Sequence, residues 1–154
     1  MSITTTTHLN FRGDARQALE FYQSVFGGAV SIATYGDVGM PKDAPGTDRV
    51  VFGQLESEDG FRVMAYDILG ASAGPTPGGS TRRENGVTLT DQPFFVSVRS
   101  TALEEAQTYW DKLSAGASVI EPLAASAWSR GFGMLTDGFG VTWILDVAAD
   151  DHAG

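Results

Sequence analysis

Apolar residues recur along this chain at two spacings, and each pattern occurs twice. Between Asp14 and Gly28 the positions Ala15, Ala18, Leu19, Tyr22, Val25 and Phe26 follow steps of three and four, the spacing of a helix laid with one face on a sheet. Asp14 is placed to accept from the first helical amides with Gln17 as its reciprocal partner, and Gly27-Gly28 supplies the left-handed residue that stops the helix. The second such segment runs from Thr101 to Gly116, with Thr101 and Glu104 as a capping box and Leu103, Ala106, Trp110 and Leu113 as its inward face. At this spacing Tyr22 and Trp110 read as core rather than as ligand platforms.

A short strand-like run precedes each helix, Ile3 to Phe11 and Pro93 to Arg99, and three runs of mostly β-branched and aromatic residues follow each. These are Val30 to Tyr35, Arg49 to Leu55 and Phe61 to Ile68, then Ser118 to Ala124, Gly131 to Thr136 and Val141 to Val147. The predicted plan is α+β, with βαβββ written twice. Such a unit leaves the sheet face opposite its helix uncovered, so pairing two units can close a core or frame a cleft. The 154 residues are one domain's worth. The expected organisation is a single domain of two modules, residues 1–68 and 92–149, joined by a linker over 69–91 that is rich in glycine and proline. A second irregular stretch, Gly36 to Thr47, reads as a surface loop, with a lid as the alternative.

Charge narrows the function classes. A formal charge of -9 and a pI near 4.4 repel phosphate backbones and anionic membrane surfaces, so neither nucleic acid nor membrane is expected as a partner. The one compact basic element in the sequence, Arg82-Arg83, reads as a solvated pair. Cysteine is absent, which removes disulfides and thiolate chemistry and fits a reducing compartment. The N-terminal Met1-Ser-Ile-Thr-Thr-Thr-Thr lacks a secretory pattern, and no apolar run approaches the roughly 20 residues of a membrane span. A cytoplasmic protein is expected.

Ala18-Leu-Glu-Phe-Tyr-Gln-Ser-Val-Phe-Gly-Gly28 and Ala127-Trp-Ser-Arg-Gly-Phe-Gly-Met-Leu-Thr-Asp-Gly-Phe-Gly-Val-Thr-Trp143, set in a doubled βαβββ plan, resemble the vicinal oxygen chelate superfamily. That superfamily spans glyoxalases, bleomycin-resistance proteins and dioxygenases, and the similarity is to its PhnB-like branch. The resemblance implies paired modules whose curved mixed sheets surround a U-shaped cleft, completed by homodimerisation. Some members of the branch carry a methyltransferase label, but this chain has no glycine-rich strand-to-helix turn for an adenosyl cofactor.

Active members of the superfamily hold a divalent metal with His, Glu or Gln from the first and last strands of each module, and the metal polarises a substrate with two adjacent oxygens. The resemblance makes His8 a candidate ligand here, and Asp67 and Asp146, charged residues in otherwise apolar strands, join it as candidates, for manganese, nickel, zinc or magnesium. The two aspartates sit near the ends of similar strands and read as corresponding positions. Gln54 and Gln92 are weaker candidates, and His152 lies in a polar tail. Where metal-binding relatives carry a glutamate in the last strand, this chain has Ile144. That shortage favours a binder of a small molecule in an aromatic cleft, with a degenerate or absent metal site. Its candidate walls are Phe52, Tyr66, Phe94, Trp128 and Trp143. The alternative is a metal-dependent lyase, isomerase or dioxygenase. No serine-histidine-acid triad can be assembled.

Overall fold

Strict alternation in β1 (Thr7–Phe11) turns Leu9 and Phe11 into the core and leaves His8 and Asn10 exposed. The computed structural model describes residues 2–74, 80–125 and 129–148. Within these the chain divides into two compact units, Met1–Thr76 and Pro77–Gly154.

The first unit continues through α1 (Ala15–Phe26), β2 (Ala29–Thr34), β3 (Val50–Glu56) and β4 (Arg62–Asp67). Its sheet has the order β1-β4-β3-β2, with β1 parallel to β4 and the other neighbours antiparallel. The six apolar positions predicted for the first helix are all buried, and they meet Leu9, Phe11, Val50, Leu55, Val63 and Ala65 as the core of this unit. Burying aliphatic and aromatic side chains of this size contributes roughly 1.5–3 kcal/mol each.

The second unit repeats the plan with β7 (Val96–Ser100), α2 (Leu103–Leu113), β8 (Ser118–Ala124), β9 (Phe132–Thr136) and β10 (Thr142–Val147), in the order β7-β10-β9-β8. The expected 69–91 linker is not wholly irregular. Thr81–Glu84 (β5) and Val87–Thr90 (β6) pair as a hairpin around Asn85-Gly86, both at positive φ, the turn chemistry that suits a two-residue hairpin loop. The hairpin lies on the sheet of the second unit. The Thr88 hydroxyl is 3.7 Å from Met134 Sδ, and the Arg83 guanidinium sits 4.8 Å over the Phe132 ring.

Register relates the two units residue by residue. Phe11 pairs with Asp67 in the first, and Ser100 pairs with Val147 in the second. The amides of Ile68 and Ala148 close the two parallel pairs on the Phe11 and Ser100 carbonyls. Phe52-Gly53-Gln54-Leu55 therefore matches Phe132-Gly133-Met134-Leu135. Both glycines are required by close approach. A Cβ on Gly53 would stand 2.5 Å from Leu19 Cδ1, and one on Gly133 would stand 2.7 Å from Trp110 Cζ3.

The helix N-caps differ from the expectation, while Gly27 ends α1 at positive φ as expected. Neither Asp14 nor a Thr101–Glu104 box makes a side-chain cap bond, and α2 begins after Ala102 in extended backbone. For α1 the acceptor comes from β4, where Asp67 Oδ1 receives the Gly13 and Ala15 amides at 2.8 and 3.0 Å.

Candidate functional site

Two faces of the first unit carry its chemistry. On the face opposite α1, the register brings His8 beside Met64 and Asn10 beside Tyr66, with Gln54 paired to Met64 and Glu56 to Arg62. Phe52 and Tyr66 lie two residues further along β3 and β4 in the same direction, on the same face. His8 and Tyr66 meet edge to face with ring centroids 5.3 Å apart, and His8 Nδ1 is 3.0 Å from Asn10 Oδ1. Arg62 donates to Glu56 at 3.1 Å, and Gln54 donates to the same carboxylate at 3.2 Å. Phe52 is 41% exposed, although its counterpart Phe132 lies under the Arg83 guanidinium. The face thus offers two aromatic rings, an imidazole, two amides and a guanidinium–carboxylate pair.

Asp67 does not join this group. It points to the other face, is 1% exposed, and accepts three backbone amides: Gly13 and Ala15 on Oδ1, and Val50 on Oδ2 at 2.9 Å. Expecting Asp67 and Asp146 at equivalent places was off by one residue. The counterpart of Asp67 is Val147, and Asp146 corresponds to Tyr66. One residue of offset reverses the sheet face. Asp146 lies on the face opposite α2 and is held by Arg99 through Nε at 3.3 Å and Nη2 at 3.1 Å, which raises the pKa of that guanidinium further.

Among the described residues these donors are each engaged elsewhere. Asp67 is committed to amides, Asp146 to a guanidinium, and His8 to Asn10. Among the described residues no three His, Cys, Asp or Glu side chains gather as ligands would. Ile144, at the position of the expected glutamate, is half-buried beside Ser97 and Met134.

Trp143 is corrected as a cleft wall. It is fully buried, 0% exposed, with its indole N–H donating to Asp137 Oδ2 at 2.8 Å. Asp137 Oδ1 also accepts the Phe139 and Val141 amides, so the Asp137 to Trp143 segment that carries the resemblance is a structural clasp. Its counterpart in the first unit is Ser57, whose hydroxyl accepts the Phe61 amide. Phe94 is exposed just before β7, and Trp128 and His152 lie outside the described residues.

A family model for the Glyoxalase/Bleomycin resistance protein/Dioxygenase superfamily matches residues 7–145. The chain belongs to that superfamily. Protein YjdN of Escherichia coli (strain K12) is 26% identical over 147 residues, covering 91% of this chain and 92% of the relative. Among solved structures, PA1353 from Pseudomonas aeruginosa is 28% identical with a TM-score of 0.75, covering 97% of this chain and 100% of that one. The PhnB protein from Bacillus cereus is 25% identical with a TM-score of 0.67, covering 95% and 100%. The glyoxalase-like α+β fold and the PhnB-like likeness thus agree with the paired βαβββ units. Among the described residues no helix is long and apolar enough to cross a membrane.

Sequence reasoning missed a second feature of the first unit. Arg16, Lys42 and Arg49 line one cavity of about 440 Å³ with Gly13, Asp48 and Asp67. The Gly36 to Thr47 stretch is ordered by a reciprocal pair, the Thr34 amide on Asp37 and the Asp37 amide on the Thr34 hydroxyl. It supplies one wall of this cavity.

Proposed function

We propose that this superfamily member binds an aromatic, hydrogen-bonding small molecule on the open sheet face of its first unit, with Phe52 and Tyr66 as the apolar platform and His8, Gln54 and Arg62 as the polar contacts. The observation that carries the reading is the contrast between equivalent phenylalanines. Phe132 is covered by Arg83 of the hairpin, while Phe52 stays open beside a polar set already oriented by hydrogen bonds. An exposed aromatic with convergent polar groups is the composition of a ligand site rather than of a solvated face. Neutral and cationic ligands suit a chain of charge -9.

The proposal includes a cytoplasmic homodimer. The absence of cysteine supports the compartment, and the family resemblance supports the dimer. Light scattering of the purified chain should return twice the 16.3 kDa chain mass. A monomer at micromolar concentration would remove that part of the proposal.

The binding test is a thermal-shift and calorimetric titration with bleomycin and a panel of aromatic amines and phenols. A ligand should raise Tm saturably, and Phe52→Ala or Tyr66→Leu should weaken it about tenfold or more, as loss of an aromatic contact does. Binding that ignores both substitutions, or a panel without any hit, would overturn the reading.

A further inference from the structure

The cavity beside Asp67 lies away from the open sheet face and calls for a ligand of opposite character. Three of the chain's ten Lys and Arg residues converge on it from two segments: Arg16 from the first turn of α1, and Lys42 and Arg49 from the middle and the end of the β2–β3 connection. None of the three is in an ion pair with a carboxylate among the described residues. The Asp37 carboxylate feels Arg16 only through space. Of the two lining carboxylates, Asp67 is turned into three backbone amides, and Asp48 is exposed. A chain of net charge -9 thus gathers unpaired cations in a concave site, where low-dielectric walls concentrate their field.

Arg49 is held rigidly. Its Nη1 donates to the Ile68 and Ala71 carbonyls at 3.2 and 2.8 Å, and its guanidinium lies against Gly13, where an added Cβ would stand 3.7 Å from Nη2. In the second unit the register puts Ser129 at the place of Arg49, and the neighbouring Arg130 reaches Ala148 O at 3.4 Å. What distinguishes the first unit is Asp67 in place of Val147, together with Arg16 and Lys42 at the rim. A guanidinium fixed by its carbonyl bonds, flanked by two flexible cations, has the donor set of an oxyanion site. The cavity, about 440 Å³, lies within the size range of small-molecule pockets and holds more than a bare ion.

We propose that this cavity binds the phosphate group of a small phosphorylated molecule, with Arg49 as the fixed donor and Arg16 and Lys42 closing on the anion. Calorimetry with inorganic phosphate and with glycerol 1-phosphate, at matched ionic strength in chloride and with glycerol as the neutral control, tests it on the full chain. Both anions should bind and glycerol should not, with the ester at least threefold tighter than the ion. Arg16→Ala and Lys42→Ala, both at exposed positions, should each weaken binding about tenfold, the usual effect of losing one charge-assisted contact. Phe52→Ala should leave phosphate binding unchanged, which separates this site from the aromatic one. The proposal is overturned by absence of saturable binding at about 10 mM phosphate, by wild-type affinity in both variants, or by an ester that binds no better than the ion.

Discussion

Asp67 accepts the amides of Gly13, Ala15 and Val50 while 1% exposed, so one carboxylate fixes the start of α1 and the start of β3 together. Each buried amide left without an acceptor costs about 1–3 kcal/mol. Asp67→Ala should therefore lower stability by about 3 kcal/mol or more in urea unfolding. Asp67→Asn keeps an acceptor for two amides but turns a donor toward Val50, and should lose less. A loss below about 1 kcal/mol in Asp67→Ala would show that the clasp does not hold these segments. Asp37 is a milder case at the surface. The Thr34 amide and hydroxyl bond its carboxylate and lower its pKa from 3.8. A depressed carboxylate contributes stability above its unfolded pKa and loses it as pH falls through the folded value. The Tm gap between the wild type and Asp37→Asn should be full at pH 6 and shrink as pH falls below about 3.8. A gap that stays constant to pH 3 would reject the assignment.

Among the elements, close helix–sheet approach at Gly53 and Gly133 sets how each helix lies on its sheet. Ala at Gly53 would bring its Cβ against Leu19 Cδ1 and within 2.8 Å of the Ala65 carbonyl, and a backbone carbonyl cannot move aside cheaply. Overpacking of this kind costs about 1–3 kcal/mol, so Gly53→Ala should lower the unfolding midpoint at unchanged m-value, while Ser31→Ala on the open face should scarcely alter it. These glycines also show what a reader of the sequence could find. The helices and eight of the ten strands among the described residues were legible because their apolar spacing is local, and Phe-Gly-x-Leu recurs at 52–55 and 132–135 as a visible mark of the repeat. The N-caps were not legible, because the acceptor for α1 is 52 residues away in β4, whereas the glycine stop at Gly27 was. Asp146 was read as the match of Asp67 because sequence distance from a strand end does not fix register, and a one-residue error exchanges the faces. The hairpin at 81–90 lay hidden in a stretch whose glycine and proline content suggested a plain linker.

For the molecule as a whole, net charge and local charge oppose each other. A chain at -9 repels itself when folded, and screening relieves this, since the Debye length falls from about 30 Å at 0.01 M salt to about 8 Å at 0.15 M. Raising sodium chloride over that range should raise Tm. The cavity of Arg16, Lys42 and Arg49 was invisible from the total charge because its members are separated by up to 33 positions in sequence and joined only by the loop after β2. It adds a second response. Phosphate at the same ionic strength should stabilise the wild type more than chloride does, partly through site binding and partly through its exclusion from protein surface. Exclusion acts equally on Lys42→Ala, and site binding does not. The phosphate-over-chloride increment in Tm should therefore be smaller in Lys42→Ala and Arg16→Ala than in wild type, with the chloride response nearly unchanged in all three. Equal increments would mean that the whole effect is surface exclusion and that the three cations act as a solvated face.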